Sequence, residues 1–165
     1  MSDRDVEPRF DPPIRDGIVV GYDGSLSAAK ALTWAFTEAG LRCLPVHVVR
    51  AWALVTVIGT VPAPPGVVPS AAECRKAVAA DLSLAVEHAR TADASATVRQ
   101  PTVVHTHLVE GPAAATLIDA SATADLLVVG DRGEGGFWGL VLGSVSDQVV
   151  RHAHCTVVVV RAHDH

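Results

Sequence analysis

Short runs of branched apolar residues, each followed by a stretch with helical spacing, recur along the whole chain. Ile18-Val19-Val20 is stopped by Gly21-Tyr22-Asp23-Gly24-Ser25. Further runs lie at Leu44 to Val49, Thr102 to Val109, Asp125 to Val129 and Thr156 to Val160. A brief β-branched run bounded by glycine, aspartate or serine reads as a buried strand entering a loop. Parallel neighbours need a crossover of a dozen residues or more, which a helix supplies. The β-α-β-α-β-α-β-α-β alternation therefore predicts an α/β domain: an open five-stranded parallel sheet, Rossmann-like, with helices on both faces.

The helices are marked by spacing and caps. Ala28, Ala31, Leu32, Ala35, Phe36 and Ala39 share one face, with Ser25 or Ser27 as N-cap and Gly40 as the stop. Ser70-Ala71-Ala72-Glu73 reads as a capping box, ahead of a helix that buries Val78, Leu82, Ala85, Val86 and Ala89 and fades near Ala92. Gly111-Pro112 opens a third helix, proline at its first position, running to about Thr123. Ser144 to Ala153 is the fourth. Between Arg50 and Pro69 the chain carries Gly59, Pro62, Pro64, Pro65 and Gly66. Such a long apolar connection is expected to pack as a flap. Residues 1–17 read as a flexible arm, 18–161 as one domain of ordinary size, and 162–165 as a polar tail.

Composition narrows the function classes. Of 165 residues 49% are hydrophobic and 19% charged, which rules out a disordered chain. The net charge is −5 and Lys30 and Lys76 are the only lysines, so a nucleic-acid partner is not expected. No apolar run approaches the roughly 20 residues of a membrane span, so no membrane partner is expected either. The polar N-terminus does not resemble a signal peptide. Three scattered cysteines, Cys43, Cys74 and Cys155, suit a reducing cytoplasm and read as small buried hydrophobes. His152, His154, His163 and His165 with Cys155 read as solvated or packing side chains rather than a zinc site, and His105 and His107 as solvated residues of an edge strand. Trp34, Trp52 and Trp138 read as packing residues, Trp138 lying where it could also cover a ligand.

The chemistry-bearing segment begins at Gly130-Asp131-Arg132-Gly133-Glu134 and ends at Gly143-Ser144. Its glycines allow backbone to approach a ligand closely. The segment leaves a buried strand and enters a helix, where free N–H groups and the macrodipole favour an anion. Ser144 can donate to a phosphate oxygen or cap its own helix. A glycine-rich connection with nothing bound is the plainer alternative. No lysine follows the glycines as in a Walker A loop, and the dinucleotide fingerprint would follow the first strand instead. Asp23, after that first strand, repels phosphate but can accept hydrogen bonds from ribose hydroxyls, or it can serve the turn alone.

These residues resemble the universal stress protein family, in its ATP-binding subgroup. The family pattern G-x2-G-x9-G-[ST] is matched at Gly130, Gly133, Gly143 and Ser144. The Val20-Gly21-Tyr22-Asp23-Gly24-Ser25 opening, Val46-His47-Val48-Val49 and the stretch from His152 to Arg161 extend the resemblance over about residues 18–161. The resemblance implies strand order 3-2-1-4-5, with the ligand crevice at the carboxyl ends of strands 1 and 4. It implies that Asp23 contacts ribose and that Val48 meets adenine through its backbone. Gly130, Gly133, Gly143, Ser144 and the Val145 N–H would then hold the phosphates. The implied ligand is ATP, with or without Mg2+, with AMP or a cyclic nucleotide as the alternative. Asp131 and Glu134 oppose a triphosphate unless they point outward or meet a metal ion.

The run Thr156 to Val160 is too apolar for a bare sheet edge. The family implies a homodimer through this strand, whereas the arm or tail could also cover it. The function expected is a dimeric adenine-nucleotide regulator of the stress response, acting with a further protein partner. A slow ATP hydrolase and a ligand-free dimeric interaction module are the alternatives. The sequence lacks the SGGxDS-like loop of pyrophosphatase-type ATP enzymes after its first strand, and no obvious water-activating base accompanies the glycines.

Overall fold

A computed structural model describes residues 9–57, 61–92, 102–133 and 141–162. The elements are β1 (Ile18–Gly21), α1 (Leu26–Arg42), β2 (Val46–Trp52), α2 (Leu54–Val57), α3 (Ala71–Ala92), β3 (Val104–Glu110), α4 (Ala113–Ala120), β4 (Leu126–Gly130), α5 (Ser144–His152) and β5 (Thr156–Val160). The five strands form one parallel sheet in the order β3-β2-β1-β4-β5. Among the described residues no helix is long and apolar enough to cross a membrane.

Successive strand residues point to opposite faces, so a sheet covered on both sides needs unbroken apolar strands. Ile18, Val20, Val46, Val48, Leu126 and Val128 pack beneath α1 and α3, against Leu32, Phe36, Leu82 and Val86. Val19, Val49, Leu127 and Val129 face the other way, toward Leu117 of α4 and Val149 of α5. A third cluster joins Trp52, Cys74 and Val78 to Leu54, Val57 and Val61, so the start of the connection after β2 packs down, whereas residues 62–68, expected as part of a packed flap, are exposed.

Several boundaries move for local reasons. Ser25, not Ser27, caps α1, accepting from the Ala28 N–H at 3.2 Å. That helix runs past Gly40 to Arg42 and ends where Cys43 turns left-handed at φ 56°, its N–H reaching the Ala39 carbonyl. Cys43 is accordingly exposed, Cys155 half-buried, and only Cys74 is the small buried hydrophobe expected of all three. The capping box forms reciprocally: the Ser70 N–H donates to Glu73 Oε2 at 2.8 Å, and the Glu73 N–H to Ser70 Oγ at 3.3 Å. Pro112 is the extended N-cap of α4 rather than its first residue, and α4 stops at Ala120. β2 continues three residues beyond Val49, where Arg50 pairs with Asp81 of α3 at 2.6 Å and the Trp52 carbonyl accepts the Gly111 N–H at 2.9 Å.

Residues 9–17, expected as part of a loose arm, are fastened to the domain. Arg9 bonds Asp119 and Thr116 of α4, Ile14 is buried, and its carbonyl accepts from Thr123 Oγ1 at 2.5 Å. The Gly17 N–H donates to Asp125 at 2.7 Å.

Leu32, 1% exposed at the centre of the α1 interface, tests the main core. Leu32→Ala is expected to lower the unfolding free energy by about 2–5 kcal/mol. Urea unfolding followed by circular dichroism measures it, and an unmoved midpoint would contradict this account of the α1 packing.

Candidate functional site

β1 and β4 lie side by side while their following helices leave for opposite faces. A crevice must open at their carboxyl ends, since neither crossover covers that point. The structure has a cavity of about 320 Å³ there. Its lining combines the apolar Val49, Ala51, Ala113, Leu117 and Val129 with Asp23, Arg132, Gly133, Gly143 and Ser144.

Glycine is required here by close approach. A Cβ on Gly130 would stand 2.4 Å from Ser27 Oγ and 2.8 Å from the Ala28 nitrogen, so any larger residue pushes β4 from the start of α1. A Cβ on Gly133 would stand 2.6 Å from Asp23 Oδ2. Hydroxyls tie the loop to its frame. Ser27 Oγ donates to the Arg132 carbonyl at 2.5 Å, and Ser25 Oγ to the same oxygen at 3.2 Å. Ser146 Oγ donates to the Gly130 carbonyl at 2.7 Å, and the Gly143 N–H to the Asp131 carbonyl at 2.7 Å. Ser27 and Ser146 are thus buried with their hydroxyls satisfied.

Gly143, with no side chain to offer, is the N-cap of α5. Ser144 is therefore not the cap, and its exposed side chain stands at the cavity. The Asp147 N–H already bonds the Gly143 carbonyl, so the α5 amides available to a ligand are those ahead of it. Asp23 is exposed, with Oδ1 accepting the Ser25 N–H at 2.9 Å.

Of the residues expected at the site, Asp23, Gly130, Gly133, Gly143, Ser144 and Val145 line this one cavity. Val48, expected to meet adenine through its backbone, is not in the lining: its side chain is fully buried on the α1 side of the sheet, and Val49 and Ala51 line the cavity. Burial on both faces hides this parity from the sequence, because valine stands at both positions. Asp131 is buried outside the lining, its N–H bonded to the Val160 carbonyl at 2.9 Å. Glu134 and Trp138 lie outside the described residues. Tyr22, Arg132, Ala113 and Leu117 were not anticipated. For Arg132 the signal was its place inside the glycine pattern; for Ala113 and Leu117 there was none beyond helical spacing.

Among the described residues no group of three or more His, Cys, Asp or Glu side chains is arranged to hold a metal ion. The histidines do depart from expectation, however. His107 is buried at 3% exposure, not solvated, and His47 beside it at 4%. A segment of the arm covers them.

Fold and site together define a doubly wound α/β domain with a ligand-sized crevice at its switch point. The sequence model of the universal stress protein family matches residues 15–161, and the chain belongs to that family. A universal stress protein of Mycobacterium tuberculosis is 38% identical over 149 residues, covering 90% of this chain and 48% of the relative. One from Mycobacterium bovis is 35% identical over 156 residues, covering 93% and 50%. The chain thus spans about half the length of the curated relatives it matches. Among solved structures, a universal stress protein in complex with cAMP superposes with TM-score 0.63 at 26% identity, over 90% of this chain and 98% of that one. One from Archaeoglobus fulgidus in complex with dAMP superposes with TM-score 0.58 at 25% identity, over 89% and 98%.

Gly130→Ala is expected to destabilise the domain by about 1–3 kcal/mol, the range for overpacking a close contact. Thermal unfolding reads this out. A variant as stable as the parent would mean that the β4–α1 contact is looser than described.

Proposed function

We propose that the domain binds an adenine nucleotide in the switch-point crevice, ATP in the first place, with AMP or a cyclic nucleotide as the alternative. The observation that carries this reading is a cavity lining that combines apolar side chains with glycine backbone, Arg132 and Ser144. A flat base suits the walls of Val49, Ala51, Ala113 and Leu117, where burial is favourable without a charged partner. The phosphates suit the start of α5, where its free amides at Ser144 and Val145 meet the positive macrodipole. Arg132 adds a planar cation suited to phosphate oxygens. Asp23 would accept from the ribose hydroxyls. Asp131 is buried outside the lining. Mg2+ would enter with the nucleotide, and among the described residues Asp23 is the one carboxylate of the lining. The related structures with cAMP and dAMP support the adenine class.

In this reading the protein is a cytoplasmic regulator in the stress response, whose bound nucleotide signals to a further protein partner. It acts as a homodimer. β5 ends the sheet with Thr156–Val160, four valines of which are half-buried, and a second β5 across a two-fold axis would satisfy its open backbone.

Calorimetric titration with ATP is expected to give a dissociation constant on the order of micromolar or weaker. Asp23→Ala and Arg132→Ala should each weaken it at least about tenfold, ~1.4 kcal/mol. Heat that persists undiminished in both variants would place the ligand elsewhere, and a flat titration with every adenine nucleotide would remove the reading. Light scattering at tens of micromolar should report twice the 17.2 kDa chain mass. A monomer there would sink the dimer.

A further inference from the structure

His47 of β2 and His105 and His107 of β3 project from the same face of the sheet as Val49, and in the register His47 pairs with His105 and Val49 with His107. The His47 and His107 rings lie nearly parallel, 23° apart with centroids 5.2 Å apart, and His105 stacks on His47 at 5.0 Å. His47 Nδ1 and His107 Nε2 are 3.0 Å apart, a hydrogen bond that a neutral pair makes by sharing one proton. Among the described residues, His107 Nδ1 is buried with no hydrogen-bond partner.

What seals this pair is the segment 9–17. Phe10 meets the His107 ring edge to face, centroids 5.7 Å apart at 88°. Phe10 and Ile14 join the same core cluster as Val49 and Leu117. The segment is held at one end by Arg9 on Asp119 and Thr116 of α4, and at the other by Thr123 and Asp125.

We infer that residues 9–17 form a proton-released strap, closed over the neutral His47–His107 pair and freed when that pair takes up a proton. The physical reason is geometric. A protonated His107 must present two N–H donors, and one of its nitrogens faces no acceptor under the strap. The cation would be sealed among Phe10 and core side chains, which is costly unless it is paired and hydrogen-bonded. Lifting the strap hydrates the ring and removes the cost.

The charges around the pair do not cancel this. Burial, then His47 and His105, hold His107 down to about 4, with Asp11 of the strap pulling the other way. His47 is lowered by burial first and by His105 next, against a pull from Asp16. On α4, Asp119 is engaged by Arg9. Arg50 of β2 is turned to the opposite side of the sheet, on Asp81 of α3. The sign follows from which state binds the proton. An exposed His107 titrates near 6.5, the ordinary value for imidazole, and the covered one near 4, so the open strap holds more protons between them. The closed state therefore keeps its full advantage above 6.5, loses it as the pH falls through this window, and loses no more below about 4. The device does not depend on what the switch-point crevice binds.

Hydrogen exchange of the full-length chain tests the strap directly. Corrected for the intrinsic pH dependence of exchange, opening of the 9–17 segment should rise about thirtyfold between pH 7.5 and pH 5.0. Imidazole NMR titration gives an independent reading. Phe10→Ala, which thins the cover without touching the sheet, should raise the His107 midpoint at least about one unit toward that of a free imidazole. Protection that stays constant between the two pH values overturns the inference, and so does a His107 midpoint identical in parent and variant.

Discussion

The parallel pairing of β1 with β4 is the constraint from which the rest of the structure follows. In one direction the sheet grows through β2 and β3, in the other through β5. At the seam the covering helices diverge, and the strand ends cannot be covered by either. Gly130 is the tightest point of that seam, set against the first turn of α1 with no space for a methyl group. The hydroxyls of Ser27 and Ser146 then satisfy the carbonyls that the seam leaves buried. A crevice lined by backbone is the result of pairing and close packing, before any side chain contributes chemistry.

How much of this could be read from the sequence depended on how local the cause was. The strands, the capping box at Ser70 and the strand order implied by the family pattern were legible, because each is signalled by adjacent residues or fixed spacings. The glycine pattern brought Gly130, Gly133, Gly143 and Ser144 to one cavity together with Asp23. What escaped was set by tertiary packing. Val48 and Val49 are the same residue type on a strand buried on both faces, so nothing in their order told which one met the cavity. Gly40 looked like a helix stop, yet α1 continues because Ala39 is still fully buried and the left-handed turn falls at Cys43. His107 sits in a strand that looked half-solvated; burial came from a segment nearly a hundred residues away in sequence.

That segment also changes the meaning of the histidines. The helices of the α4 face leave the β2–β3 side of the sheet to be sealed by a short stretch that contributes Phe10 and Ile14. Two imidazoles facing each other at 3.0 Å would be ordinary on a wet edge. Under an apolar cover their neutral form is favoured, because burial penalises the charged one more than Asp11 and Asp16 offset. The cover and the crevice share a neighbour in Val49, which is His107's partner in the sheet and part of the cavity wall.

The hydrogen bond from Gly143 to the Asp131 carbonyl has a further consequence. The polypeptide departs from β4 and comes back to α5 with an amide and a carbonyl only 2.7 Å apart, so the connection is pinched at its base, where Ser25 and Ser27 also hold the Arg132 carbonyl against α1. Lengthening a connection whose ends are joined by one hydrogen bond adds only slowly to its closure entropy. Variation in length above that base therefore leaves the β4–α5 closure itself in place.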